Sequence, residues 1–164
     1  MPVMYPQLGG VDGVRQTIGM MVRLTNAAVV NPDIRAQAAQ VVAACPRGDR
    51  KCMAYALLSW VKRKMHYVAD PNGTEALHNP AMIAAAIRAG RMVYGDCDDM
   101  SMYLGALLKS VGLAPRFRAV GYNGRQFQHV YVWCDGLTLD ATRDEWNARP
   151  RPTPSETSVI EAKV

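Results

Sequence analysis

The chain has 164 residues, of which 49% are hydrophobic and 20% are charged, and its net charge is +5. This length is enough for one hydrophobic core and too short for two ordinary domains. No apolar run approaches the roughly 20 residues that a membrane-spanning helix requires, so no membrane partner is predicted. The basic residues are dispersed rather than arranged in a stripe with stacking aromatics, so the sequence does not predict a nucleic-acid partner either.

The first half of the chain predicts a layer of short helices separated by tight turns. Residues 1–10 are predicted to form an extended arm. Helices are expected over residues 11–30, 32–45, 50–65 and 80–90. Asn31-Pro32 and Asn79-Pro80 each combine a capping residue with proline at the first helical position, so each pair predicts the start of a helix.

In the second half, a helix that begins at Cys97 is followed by a change of periodicity from 3.6 to 2. Residues 115–122, 126–134 and 137–142 are predicted as strands. Asn123-Gly124 and Asp135-Gly136 are two-residue hairpin signals between them. Three antiparallel strands in a meander, packed against helices, predict an α+β fold.

A single domain is therefore predicted over residues 1–146, with residues 1–10 as the arm and 11–45 as additional helices. From Asn147 the composition changes to a proline-rich run, which predicts that residues 147–164 are a tail without a core of its own. Two alternatives stay open for what holds this tail. It packs on its own domain, or it docks on a partner protein or on a second copy of the chain.

Four cysteines are too few for a disulfide scaffold, and they indicate a reducing compartment. Cys45 and Cys52 flank a turn, where the sequence favours two small buried thiols and leaves a disulfide open. The N-terminal residues do not resemble a signal peptide. A cytoplasmic protein is therefore expected, or one that is carried inside an assembly.

Cys97 lies in the first turn of its predicted helix, directly after the N-cap residue Asp96. The free N–H groups and the positive dipole end of a helix N-terminus favour a thiolate. The neighbouring carboxylates of Asp96, Asp98 and Asp99 act in the opposite direction. We therefore expect a thiol that is activated only by close contact with a base.

The second hairpin supplies a base and an acid. The expected cross-strand pairs are Cys134 with Leu137, Val132 with Leu139, and Tyr131 with Asp140. In this register His129 and Asp140 share one sheet face, within reach of a hydrogen bond. A helix packed on that face would bring Cys97 to both, with Cys97 as nucleophile, His129 as base and Asp140 as the acid that orients it.

Other interpretations of these residues stay open. Each alone is compatible with an ordinary structural role, the cysteine as a small buried side chain. A metal site built from Cys97, Asp99, His129 and Cys134 is less favoured, because zinc ligands usually come as closely spaced pairs. No metal and no other cofactor is predicted.

Three segments resemble, in this order, the signature segments of the transglutaminase-like superfamily: Gly95-Asp96-Cys97-Asp98-Asp99, His129-Val130-Tyr131-Val132 and Leu139-Asp140-Ala141-Thr142. They are similar to the small bacterial and bacteriophage members whose nucleophile lies in a Gly-Asp-Cys-Asp-Asp sequence. The similarity covers roughly residues 50–142 and does not include the first 45 residues or the tail.

The resemblance implies a papain-like α+β core and acyl transfer on a protein or peptide amide, by peptidase, deamidase or transglutaminase-like chemistry. By matching position, Cys97, His129 and Asp140 are the implied catalytic residues. The backbone N–H of Cys97 is one implied oxyanion donor, and Tyr94, Asn79 and His78 are candidates for the second. The alternative is a bacteriophage virion or assembly component with a structural role, which contacts other virion proteins or copies of itself through its termini.

Overall fold

The computed structural model describes residues 2–6, 10–70, 74–122, 127–143 and 156–164. The helices are α1 (Gly10–Ala28), α2 (Pro32–Val42), α3 (Arg50–Lys64), α4 (Pro80–Arg88) and α5 (Cys97–Ser110). The strands are β1 (Val3–Pro6), β2 (Met65–Tyr67), β3 (Thr74–Leu77), β4 (Val93–Gly95), β5 (Arg116–Tyr122), β6 (Phe127–Cys134), β7 (Leu137–Leu139) and β8 (Glu156–Lys163). The predicted α+β class is confirmed. Within these ranges no helix is long and apolar enough to cross a membrane.

Helix α5 is the centre of the core. Every residue from Asp98 to Leu108 is buried, and the helix contacts each of the other four helices as well as β6. Buried hydrogen bonds fix its position: the Tyr103 hydroxyl donates to Gln37 Oε1 of α2 at 2.6 Å and accepts from Trp60 Nε1 of α3 at 2.9 Å. These bonds hold the middle of α5 against α2 and α3.

The main sheet has the strand order β7-β6-β5-β8. The predicted meander of β5, β6 and β7 is confirmed, as are the pairs of Cys134 with Leu137 and Val132 with Leu139. The turn between β6 and β7 requires positive φ at both central residues, and Asp135 (51°) and Gly136 (83°) adopt it. The predicted Asn123-Gly124 turn lies outside the described residues.

Strand β8 lies within the segment that the sequence predicts as a tail. It pairs antiparallel with β5, from Arg116 opposite Lys163 to Tyr122 opposite Glu156. Of the two alternatives for what holds the tail, the structure therefore has residues 156–163 on the protein's own sheet. The proline-rich residues 147–155 lie outside the described residues. The domain boundary at residue 146 stays a prediction.

Two small sheets complete the fold. Strand β1, within the predicted N-terminal arm, pairs antiparallel with β3, so this part of the arm is tied to the domain. Strands β2 and β4 pair in parallel, with His66 opposite Tyr94 and Tyr67 opposite Gly95. Because β4 ends at Gly95, this pair delivers the chain directly to the start of α5.

The expectation that the central helix packs on the sheet face of His129 and Asp140 is wrong. Gly105 of α5 approaches the ring of Phe117, where an added Cβ would lie 3.1 Å from a ring carbon. Phe117 pairs with Val132, so α5 packs on the face of these two residues. Alternation along β6 puts Tyr131 on the opposite face, with His129. Strand parity could not reveal which of the two faces the helix would cover.

Cys45 and Cys52 form a disulfide, which corrects the expectation of two buried thiols. The turn between α2 and α3 brings their Cα atoms to 5.7 Å, and both side chains are half-buried. The Asp49 carboxylate caps α3 by accepting from the Cys52 N–H at 2.8 Å, which fixes this geometry. The reducing compartment stays a prediction, and a disulfide is an observation against it.

Candidate active site

The start of α5 is built by a capping residue. Asp96 Oδ1 accepts from the backbone N–H groups of Asp98 at 3.0 Å and Asp99 at 3.2 Å. This leaves Cys97 as the first residue of the helix, partly buried and with its sulfur at the end where unpaired N–H groups concentrate. The predicted cap and the predicted helix start at Cys97 are confirmed.

A cavity of about 240 Å³ opens beside this helix end. Cys97 and His129 both line it, so the structure brings the candidate nucleophile and the candidate base to one space. The start of β6, the residues after β2 and one side of α1 supply the remaining walls. Besides these two, the lining residues are Val14, Thr17, Ile18, Met21, Tyr67, Ala69, Asp70, Asp96, Asp98, Ala119, Phe127, Gln128 and Val130.

Asp140 bonds the imidazole of His129 and does not itself line the cavity. Its Oδ2 lies 2.7 Å from His129 Nε2, while its Oδ1 accepts from the Thr142 hydroxyl at 2.7 Å and the Thr142 N–H at 3.0 Å. Arg143 Nε lies 3.3 Å from Oδ2. Burial alone would raise the pKa of the Asp140 carboxyl, but the bonds from His129 and Thr142 outweigh it and lower that pKa below the usual value. Asp140 is therefore a firmly ionised partner for the imidazole.

The surroundings of the Cys97 thiol favour its protonated form. Burial raises its pKa well above the usual value, and the carboxylates of Asp98 and Asp96 raise it further. The sulfur lies 3.5 Å from Asp98 Oδ1, which accepts a hydrogen bond from the thiol. A backbone hydrogen bond from Val130 lowers the pKa but is outweighed. Of the three acids expected to oppose a thiolate, Asp96 and Asp98 therefore do so.

None of the three side chains proposed as a second oxyanion donor, Tyr94, Asn79 and His78, lines the cavity. Asn79 caps α4, where its Oδ1 accepts from the Ala81 N–H at 2.9 Å. Tyr94 is 56% exposed, and its ring lies against His66 with the centroids 5.7 Å apart. A position upstream of Cys97 in the sequence did not bring these side chains to the cavity. The backbone N–H of Cys97 stays the candidate donor.

Two features of the site are absent from the sequence-based prediction. One is the wall that α1 contributes, because α1 lies outside the segment that resembles known sequences. The other is a bond between Asp99 and His78, which are 21 residues apart and at 2.6 Å in space. Neither feature has a periodicity or spacing that could have revealed it.

Asp99 is also one of the ligands in the metal site that the sequence left as a less favoured alternative. Within the described ranges no group of three potential metal ligands is found.

A solved structure from Parabacteroides distasonis ATCC 8503, named a "putative protease", has a similar fold. The similarity covers 75% of this chain with a TM-score of 0.52 and 13% sequence identity. The chain spans only 25% of the length of that protein. No protein-family model and no curated protein matches the sequence. At this identity the comparison establishes a likeness of fold alone.

Proposed function

We propose that the protein is a thiol-dependent amide hydrolase or acyltransferase, with Cys97 as nucleophile, His129 as base and Asp140 as the orienting acid. The observation that carries the proposal is that Cys97 and His129 line one cavity while Asp140 holds the imidazole from outside it. A thiol, an imidazole and a carboxylate with these roles are the parts of nucleophilic acyl transfer.

The similarity of fold and the sequence motifs support the same class of reaction. The transglutaminase-like resemblance of the segments around Cys97, His129 and Asp140 implies a papain-like core with these residues in these roles. The Parabacteroides protein, whose name describes a protease, agrees with a peptidase-like activity in particular.

The bond between His129 and Asp140 decides which ring nitrogen is basic. An ionised carboxylate can only accept, so Nε2 carries a proton and donates it to Asp140. The neutral imidazole then has its lone pair on Nδ1. We infer that Nδ1 is the atom that accepts the thiol proton. The carboxylate of Asp140, whose pKa is lowered, then stabilises the imidazolium that results.

The reaction proceeds in two halves. Cys97 Sγ attacks the carbonyl carbon of the amide as His129 takes the thiol proton, and a tetrahedral intermediate forms. The C–N bond then breaks, His129 returns the proton to the leaving nitrogen, and a thioester remains on Cys97. In the second half His129 deprotonates water, which attacks the thioester and releases a carboxylic acid and the thiol. An amine in place of water would give a new amide.

The surroundings of Cys97 raise the pKa of its thiol and so disfavour a standing thiolate–imidazolium pair. We therefore propose that proton transfer to His129 accompanies the attack rather than precedes it. This favours a slow, substrate-dependent enzyme over a generally reactive thiol. Hydrolysis or deamidation is the simpler outcome, since water needs no binding site of its own.

The alternative of a structural component in a bacteriophage particle rested mainly on a tail held by another molecule. Strand β8 pairs with the protein's own β5, so residues 156–163 do not require another molecule to hold them. The geometry between His129 and Asp140 also has a use in catalysis that a purely structural role would not require. We therefore carry forward the acyl-transfer proposal.

The test is the formation of a thioester on Cys97. The protein is incubated with p-nitrophenyl acetate, an activated acyl donor, and the acetylated residue is identified by mass spectrometry with release by hydroxylamine. We expect one acetyl group on Cys97, none in Cys97→Ala, and acylation about a hundredfold slower in His129→Ala.

A matched control is His66→Ala, because His66 is an exposed histidine of β2 that bonds no carboxylate in the described residues. This variant should acylate like the parent. The buried thiol of Cys134 is an internal control, since burial raises its pKa to about 11 and it should stay unmodified. Equal acylation of Cys97 in the parent and in His129→Ala would remove the proposal.

A further inference from the structure

A second histidine–carboxylate pair lies on the first turn of α5, two residues beyond Cys97. Asp99 is 0% exposed. Both of its carboxylate oxygens form hydrogen bonds with the same residue, His78. Oδ1 accepts from the backbone N–H of His78 at 2.7 Å, and Oδ2 lies 2.6 Å from His78 Nδ1. Because an ionised carboxylate can only accept, Nδ1 carries the proton in this bond.

The same carboxylate packs against the end of β4. A Cβ on Gly95 would lie 2.7 Å from Asp99 Cβ and 2.8 Å from Oδ2, so only glycine permits this approach. Asp99 thereby joins three segments, namely the end of β4, the first turn of α5 and the connection between β3 and α4 that contains His78. Cys97 lies on the chain between Gly95 and Asp99, inside the part that this contact fixes.

His78 has no direct place in the chemistry described above. It does not line the cavity that contains Cys97 and His129, so it is not an alternative base for the thiol. Its ring is 40% exposed, whereas the carboxylate that it contacts is almost fully buried. A buried carboxylate requires hydrogen bonds to stay in place, and His78 supplies both of those found on Asp99.

We propose that His78 and Asp99 are a positioning pair that holds the first turn of α5, and with it the sulfur of Cys97, in place for attack. The pair acts through the backbone and touches no substrate. Its purpose rests on the proposed function, but its primary test does not. Burial raises the pKa of the Asp99 carboxyl and the bonds from His78 lower it, so loss of the imidazole removes a direct support of its charge.

The test compares three variants. His78→Ala removes the ring donor and keeps the backbone N–H. His78→Asn restores a donor, because the asparagine amide nitrogen occupies about the place of Nδ1. His66→Ala is the matched control on a histidine without such a bond.

The primary readout is hydrogen exchange, resolved by residue in NMR spectra. The Met100 N–H closes the first turn of α5 on the Asp96 carbonyl at 3.1 Å. The Arg35 N–H does the same on the Asn31 carbonyl of α2, also at 3.1 Å, and serves as the reference amide. We expect Met100 to exchange about tenfold faster in His78→Ala, with Arg35 unchanged, and to return within about twofold of the parent in His78→Asn.

The second readout is acetylation of Cys97 by p-nitrophenyl acetate. It should slow about tenfold in His78→Ala and recover in His78→Asn, while Cys134 stays protected. Unchanged exchange at Met100 would overturn the proposal, as would an equal rise at Arg35, because the effect would then be one on global stability. Faster exchange with unaltered acetylation would also overturn it, since the turn would not position the thiol.

These results separate the two proposals. Failure of the acyl-transfer function appears as a parent protein that does not acylate, or as no effect of His129→Ala. In that case exchange at Met100 alone decides whether His78 and Asp99 hold the helix start. Failure of the positioning pair appears as a normal His129→Ala defect together with a His78→Ala variant that behaves like the parent.

Discussion

His129 Nε2 and Asp140 Oδ2 lie 2.7 Å apart, and this bond leaves Nδ1 as the basic nitrogen of the ring. The tautomer of His129 is therefore set by a residue that follows β7 directly. The same bond helps to lower the pKa of Asp140 below its usual value, so the partner is ionised at neutral pH. The first prediction tests this relationship.

Asp140→Asn should slow acetylation of Cys97 by about a hundredfold or more. The asparagine amide can donate to Nε2, which would favour the tautomer with its proton on Nδ1, where the base must be free. The rate is measured by mass spectrometry as above. Asp135→Asn is the control on the same hairpin, because that carboxylate pairs with Arg50 at the surface. Equal rates in the two variants would show that Asp140 does not set the tautomer.

Asp98→Asn should lower the pH at which Cys97 reacts with iodoacetamide. Asp98 raises the pKa of the thiol both by its negative charge and by accepting a hydrogen bond from the protonated thiol. Its neutralisation should therefore lower that pKa, so that the thiolate forms at lower pH. The measurement is the rate of labelling against pH. Asp33→Asn changes a first-turn acid of α2 that pairs with Arg88, and should leave the profile unmoved. A profile in Asp98→Asn that coincides with the parent would contradict the electrostatic account.

Reduction of the disulfide between Cys45 and Cys52 should lower the free energy of unfolding by about 2–3 kcal/mol. This is the loop-entropy estimate for a short loop, and the two cysteines are 7 residues apart. Urea unfolding with and without dithiothreitol gives the difference. The double variant Cys45→Ser with Cys52→Ser should be insensitive to the reductant, whereas an equal response there would assign the effect to another thiol.

Gly95→Ala should destabilise the protein by about 1–3 kcal/mol, because the added Cβ would meet Asp99 at under 3 Å. Gly19→Ala is the matched control. An added Cβ there has nothing within 4 Å, and alanine in the middle of α1 should raise stability by about 0.5–1 kcal/mol. The midpoints of thermal unfolding of the two variants should therefore shift in opposite directions. A shift of the same sign in both would contradict the role of the close contact between Gly95 and Asp99.

Local patterns predicted much of the fold. The turn at Asp135-Gly136 determines a register that pairs Val132 with Leu139, and the structure has it. Asp96 and the apolar spacing after it predicted the start of α5. The hypothesis that His129 and Asp140 lie within hydrogen-bond reach followed from that register together with the alternation of side chains along a strand, and the two residues are bonded.

The remaining features depend on distant parts of the chain. Strand β8 alternates between exposed and half-buried residues, but the proline-rich run before it hid this short pattern. The expectation of a reducing compartment favoured two thiols over a disulfide, although the turn itself brings Cys45 and Cys52 together. The partner of Asp99 comes from a connection 21 residues earlier, and no local rule relates the two.

The wall that α1 contributes to the cavity separates two properties of the site. Val14, Thr17, Ile18 and Met21 line the space in front of Cys97, yet they belong to a helix outside the segment that carries the motifs. Exchange of these side chains would alter the shape that a substrate meets without altering the thiol, the imidazole or the carboxylate. Under the proposed function, selectivity and reactivity would thus be encoded in different stretches of the polypeptide, so the first could diversify while the second is retained.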